Sequence, residues 1–282
     1  MSQDIKHDSI IELKKNILSE FNKTEGNFAM VFLELRHKGD HIFINDKANF
    51  HAASTMKTPV MVEVFNQAQE GKFNLDDTII VKNEFKSIVD SSLYSLNLSD
   101  DAGENLYHFI GQPKSIRELV YEMITVSSNL ATNLLIDLVG AKNVMKTMKS
   151  MGAYNIQILR GVEDLKAYDR GLNNTTDAYD LALIFKKIAE DEIVSKNACD
   201  EMIKILSEQK LNTKIPAKLP LDVKVAHKTG SITGVEHDSG IVYLPNGKKY
   251  VLVILSKNLK DSQKGIETIA NVSRMIYNYM AE

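Results

Sequence analysis

The chain has 282 residues, 44% hydrophobic and 25% charged, an ordinary globular balance with room for one large domain or two interleaved ones. Its 34 basic against 37 acidic side chains leave a formal charge of −3, so the basic excess that nucleic-acid binding needs is absent, and no run approaches the ~20 apolar residues of a membrane span. The single cysteine, Cys199, excludes an intrachain disulfide framework and any multi-cysteine metal site. With no histidine nearby, it reads as a small buried or surface side chain rather than a catalytic thiol.

In chain order, the first element is a helix over 8–22. Ile10, Ile11, Leu13, Ile17, Leu18 and Phe21 form its stripe, behind the capping types Asp8 and Ser9. This start lacks a basic region followed by an apolar core, so it is no signal peptide. Either a cytoplasmic protein or one whose leader has been removed fits it. Residues 28–36 and 41–45 read as strands, with Gly39 in the turn between them. A helix runs from Ser54 to Gln69 and stops at Gly71. The stretch 83–113 is polar and irregular, a disordered or an elaborated loop. Ser115 with Glu118 forms a capping-box pattern that opens the segment 115–139. Amphipathic helices follow over 142–151, 177–190 and 196–209. Residues 160–176 have little periodicity and two glycines, and long loops of this kind are often functional. From 222 the pattern returns to strands: DVKVAHKTG, SGIVYLP and KKYVLVILSK, with Asn246-Gly247 as a hairpin turn. A helix over 261–281 closes the chain. The expected fold is α+β, a three-layer αβα arrangement. Its antiparallel sheet is built from both chain ends and flanked by the terminal helices, with an all-helical domain inserted. The sheet domain takes 1–53 and 221–282; the helical domain takes 54–220.

Three short motifs stand out. Ser54 and Lys57 lie three residues apart at a helix start, on one face. A serine hydroxyl is a poor nucleophile until a neighbour takes its proton, and a lysine can do so when burial or a second cation lowers its pKa. Pro59 fits the first turn of that helix. Ser127-Ser128-Asn129 is a polar interruption inside an apolar helical run, and buried polar groups need partners. Lys228-Thr229-Gly230, followed by Ser231, ends a strand, where Gly230 lets a ligand approach the backbone. Alone, none is specific: SxxK recurs at Ser207–Lys210 and SxN at Ser95–Asn97. A cleft between sheet and helices would gather all three. The seven histidines show no metal-ligand spacing, no phosphate loop is present, and no cofactor is expected. Met56, Met61 and Met123 fit the core. His227, next to the third motif, is a candidate for substrate contact.

The ordered set SxxK, SxN and KTG resembles that of the serine β-lactamase and penicillin-binding superfamily, and most closely the class A β-lactamases. ITVSSNLATNLL is similar to the family's SDN segment, including the following Asn133, and HKTGSITGVEHDSGIVY to its KTG strand, hairpin and next strand. The resemblance covers nearly the whole chain and implies an acyl-enzyme serine hydrolase. Ser54 would be acylated and Lys57 would accept its proton. Ser127 would pass the proton to the leaving nitrogen, and Asn129 would hold the substrate's amide. Lys228 and Thr229 would bind its carboxylate beside Gly230. The N–H groups of Ser54 and Ser231 would form the oxyanion hole, each such donor being worth roughly 3 kcal/mol.

The chain departs from the family in several places. Ser128 stands where the family has Asp. In the loop 160–176, the family's Glu two residues after Arg160 is Val162, and the Asn four further on is Lys166. Glu163, one residue out of register, is the candidate deacylation base; Asp164 lies beside it. Glu236 and His237 occupy the region where the family often has a carboxylate-binding Arg or Lys, which leaves more of the anion binding to Lys228. The gap between the first two motifs is longer than usual, and its extra residues, 83–113, are expected to wall the cleft, with Tyr94 and Tyr107 as candidate stacking aromatics. The resemblance implies a small-molecule substrate, a β-lactam or a peptidoglycan-like peptide. A monomer is expected, and the chemistry points to a periplasmic or secreted protein. A D-alanyl-D-alanine peptidase or other slowly deacylating penicillin-binding hydrolase is the alternative, and a non-catalytic β-lactam sensor the second.

Overall fold

Alternating side chains on five strands set the architecture. The computed structural model describes residues 2–281. In it β1 (Asn27–Glu34), β2 (His41–Ile44), β3 (Lys224–Ile232), β4 (Val235–Tyr243) and β5 (Lys249–Lys257) form one antiparallel sheet in the order β2-β1-β5-β4-β3. The two ends of the chain meet at its centre, where Val31 lies opposite Val253. Gly247, at φ +83°, makes the turn into β5, as the Asn-Gly pair predicts.

Nine α-helices are described: α1 (Ser2–Phe21), α2 (Lys57–Gln69), α3 (Ile116–Thr125), α4 (Asn129–Val139), α5 (Ala141–Ser150), α6 (Leu165–Asp169), α7 (Ala178–Ala189), α8 (Lys196–Ser207) and α9 (Ser262–Ala281). One face of the sheet, carrying Phe28, Met30, Phe32, Tyr250, Leu252 and Ile254, packs on Ile17 and Phe21 of α1 and Ile269, Val272 and Ile276 of α9. The other face, with Ala29, Val31, Val251, Val253 and Leu255, joins the core of the central helices. That period of two is what a sheet covered on both faces requires. Met56, Met61, Met123 and Cys199 are all core residues.

Three elements differ from expectation. α1 starts at Ser2, so Asp8 and Ser9 lie inside it; no Gly or Pro precedes them to stop the helix. The 115–139 segment is two helices. α3 opens with the Ser115–Glu118 capping box, and the chain then breaks at Ser127, φ +63°, before Ser128 caps α4 by accepting the Ala131 N–H. Residues 83–113 are an elaborated loop rather than disordered: Phe85–Lys86 pairs with Leu93–Tyr94, and Thr78–Ile80 pairs with Pro113–Ser115 to anchor its base.

Candidate active site

The first motif sits where the sheet hands over to α2. A 3-10 turn, Ala53–Met56, carries Ser54 and runs directly into α2 at Lys57. Ala53, just before Ser54, has φ +44°, a left-handed conformation costly for a residue with a Cβ and one that clusters at functional sites. Ser54 lines a cleft of about 730 Å³ with His51, Asn129, Glu163, Tyr168 and Ser231 among its walls. Lys57, one turn on, is fully buried. Its Nζ donates to the Ser127 carbonyl (2.7 Å), Ser127 Oγ (3.2 Å) and Asn129 Oδ1 (2.9 Å). Burial disfavours its ammonium form and pushes its pKa down to about 7, against the opposing pull of Asp101 and Glu163.

The second motif is presented by the break between α3 and α4. The left-handed Ser127 turns its carbonyl and hydroxyl toward Lys57, and Asn129 begins α4. The third motif completes the arrangement from β3. Lys228, also fully buried, donates to Ser127 Oγ (3.0 Å) and to the Thr229 carbonyl (2.9 Å). Ser127 Oγ therefore stands between two buried amines. Burial, the Lys57 charge and the Lys214 charge together hold the Lys228 pKa well below that of an ordinary lysine. A proton arriving at this chain has a short path from one nitrogen to the other through one hydroxyl.

Gly230 also brings two stretches of backbone together. A Cβ built there would stand 3.2 Å from the backbone nitrogens of Ser54 and Thr55. Its bareness lets the edge strand β3 lie against the turn that carries Ser54. This brings Ser231, the next residue, beside Ser54 in the cleft wall. Ser231 Oγ donates to Glu236 Oε2 (2.7 Å) and accepts from Lys214 Nζ (2.9 Å). Lys214 and Glu236 pair at 2.8 Å with almost no exposure. Lys214 Nζ also reaches the carbonyls of Gly230 and His237. A third buried cation thus serves the KTG end, from a loop that no sequence pattern marked.

Loop 160–176 is braced internally. Arg160 donates to the Leu172 and Gly161 carbonyls and to Asn173 Oδ1, while Asn174 bonds the backbone of Leu159 and Arg160. Asn133, in α4, clamps the loop to the helices: its Oδ1 accepts the Val162 N–H (2.7 Å) and its Nδ2 donates to the Val162 carbonyl (3.0 Å). Val162 is thus the clamped residue. Glu163, at φ +62°, extends its carboxylate toward α4: Oε1 accepts from Asn129 Nδ2 (2.9 Å) and Oε2 more weakly from the Asn97 N–H (3.4 Å). Burial raises its pKa above the usual carboxylate value, and the charges of Asp101 and Asp100 add to that. Asp164 is turned elsewhere, onto Ser87 and the Ile88 N–H, and Lys166 points outward to Asp90 and Ser92.

Three expected aromatic or histidine roles do not hold. Tyr94 packs on Phe85 at 5.9 Å and donates to the Val162 carbonyl; it buttresses the loop instead of lining the cleft. Tyr107 donates to Asp101. His227 faces away from the cleft, fully buried between Asp238 and Asn212, because the strand alternation that turns Lys228 inward turns its neighbour outward. The cleft's tyrosine is Tyr168, with Leu165 and Ile232 as its exposed apolar rim.

The profile of the beta-lactamase enzyme family, Beta-lactamase2, matches residues 12–280. The chain belongs to that family. It is 24% identical over 248 residues to the extended-spectrum beta-lactamase PER-1 of Pseudomonas aeruginosa, covering 84% of this chain and 78% of that one. Among solved structures, PBP-A is 30% identical with a TM-score of 0.82, covering 96% of each chain. The beta-lactamase of Sphaerobacter thermophilus is 26% identical with a TM-score of 0.81, covering 94% of this chain and 96% of that one. Family and fold make the protein a serine β-lactamase-like hydrolase.

Proposed function

We propose that the protein is a class A-type serine β-lactamase working through an acyl-enzyme on Ser54. The observation that carries this is the chain of two buried amines, Lys57 and Lys228, sharing the hydroxyl of Ser127 at the edge of a cleft that holds Ser54. With its pKa lowered to about 7, Lys57 is a competent base near neutral pH. It takes the Ser54 hydroxyl proton as Oγ attacks the lactam carbonyl carbon. The C–N bond breaks, and the nitrogen receives its proton through Ser127. The N–H groups of Ser54 and Ser231 stabilise the oxyanion between these events. Lys228 and the Thr229 hydroxyl supply donors for a substrate carboxylate, and Lys214 braces that end of the strand from behind.

For deacylation, Glu163 is the group of choice. Its carboxylate lies in the cleft wall, is bonded to Asn129, and keeps Oε2 only weakly engaged, free to orient a water. A water activated there attacks the ester carbon and returns the Ser54 oxygen as its hydroxyl. A second reading, a penicillin-binding hydrolase that deacylates slowly, draws on the clamp: Asn133 holds Val162, and Val162 has no carboxylate. Because β-lactams and cell-wall peptides lie outside the cytoplasm, either activity implies an exported protein.

Intact-mass spectrometry over time with benzylpenicillin tests the assignment. An adduct that forms and clears while penicilloate accumulates supports the β-lactamase, whereas a persistent adduct supports the slow hydrolase. Ser54→Ala should abolish labelling with the fold intact; labelling that survives sinks the assignment. Glu163→Gln should trap the adduct. Unchanged turnover in that variant removes Glu163 from the mechanism.

A further inference from the structure

The middle residue of the SxN motif, Ser128, has no charge to contribute, yet a carboxylate occupies the space beside it. Asp101, 3% exposed, comes from the 83–113 loop. Its Oδ1 accepts the N–H groups of Gly103 (2.8 Å) and Asn129 (2.9 Å). Its Oδ2 accepts the N–H of Leu130 (2.8 Å), the hydroxyl of Tyr107 (3.2 Å) and, more loosely, that of Ser128 (3.4 Å). The approach is close: a Cβ on Gly103 would fall 2.3 Å from the Ser128 Cβ, so only glycine lets the loop lie this near. Five donors on one buried carboxylate fill its acceptor capacity.

We propose that Asp101 is a positioning residue of the active site, replacing from a separate loop the carboxylate that the motif itself lacks. By gripping the first two N–H groups of α4 it fixes where Asn129 begins. Asn129 Oδ1 in turn takes the Lys57 ammonium at 2.9 Å. The loop is thereby part of the catalytic apparatus and more than a wall of the cleft. Lys57 faces three ionisable groups: Lys228 across Ser127, Glu163 across Asn129, and Asp101 behind Asn129. The Asp101 charge favours the Lys57 ammonium, so its removal eases deprotonation while loosening the geometry. Asp101 is itself flanked by the charges of Asp100, Glu122 and Glu163.

This rests on the acyl-enzyme reading, and the experiment separates the two. Acylation by a fluorescent penicillin is followed from pH 5 to 9 for the wild type, Asp101→Asn, Ser128→Asp and the double variant Asp101→Asn/Ser128→Asp, with melting curves for each. Asp101→Asn is expected to acylate about tenfold or more slowly on the plateau, with the acid limb of its profile moved to lower pH. The double variant, its carboxylate returned to the motif, is expected to recover most of the loss. Ser128→Asp alone crowds two carboxylates and should melt lower. A labelled wild type with an Asp101→Asn variant of equal rate and unmoved limb overturns the proposal. So does a folded double variant with no recovery, which keeps the test decisive if Asp101→Asn fails to fold. A wild type that takes no label overturns the acyl-enzyme reading, and this proposal with it.

Discussion

Acylation is expected to switch on as pH rises through neutrality, and the reason lies in one side chain. Lys57 is fully buried. Loss of water around its ammonium group outweighs the attraction of Asp101 and Glu163 and brings its pKa from 10.5 to about 7. On the proposed mechanism only the neutral amine accepts the Ser54 proton, so each pH unit below the limb costs about tenfold in rate, or about a hundredfold at pH 5. The same shift bears on stability. Between pH 7 and 10.5 the unfolded chain binds a proton at this lysine that the folded chain does not. Stability from this group therefore rises with pH through that window. At neutral pH the mismatch costs the fold on the order of 4 kcal/mol. Lys57→Met should thus abolish acylation while raising the melting temperature. Single-turnover stopped-flow with a fluorescent penicillin, paired with calorimetry of both proteins, reads both effects. A rate that stays flat down to pH 5, or a Lys57→Met variant that melts lower than the wild type, would refute the account of a desolvated lysine base.

Further outcomes concern the supports around it. Gly230→Ala should slow acylation with little change in melting, because its Cβ must push the turn that carries Ser54; an unchanged stopped-flow rate would mean the contact is slack. Lys214→Met leaves Glu236 buried without its cation and should destabilise by about 3–5 kcal/mol, and adding Glu236→Gln should restore most of it in denaturant melts. Asn133→Ala frees the Val162 N–H and leaves the Val162 carbonyl to Tyr94 alone, and should cost about 1–3 kcal/mol, with limited proteolysis now cutting within 160–176; a resistant loop would show that Arg160, Asn174 and Tyr94 hold it unaided.

Much of this was legible from local pattern. The five strands announce themselves as short apolar runs bounded by turn signals, α2 and α7 by their helical spacing, and α3 by its spacing and capping box. Ser54, Lys57, Ser127 and Lys228 could be singled out as candidates because each lies in a motif a few residues long. What failed to show are the groups brought in by tertiary contact alone. Asp101 and Lys214 come from polar loops where any of several charges could have pointed inward, and nothing in a one-dimensional pattern distinguishes Asp101 from Asp100. Tyr94 and Tyr107 lie in the right loop, but aromatic identity does not report direction, and both serve as braces. His227 is different, because its direction is written in the strand pattern. Once Lys228 is assigned to the cleft, the period of two places residue 227 on the opposite face. The α3–α4 break was written as three polar residues in an apolar run, although only the backbone reveals that Ser127 takes a left-handed turn.

The sheet's order has a consequence for biosynthesis. β5 lies at the centre of the sheet yet is the last strand made, and Phe28 finds its partner only in Ser256. Closing so long a span of chain is entropically slow and leaves β1 unpaired on that side until nearly the whole protein exists. A nascent chain long enough to contain all three motifs would still lack the strand that joins β1 to β4. Ser54 and Lys228 are therefore expected to come together only once β5 has left the ribosome, and a chain truncated after β4 would expose two apolar strand edges ready to associate with another copy.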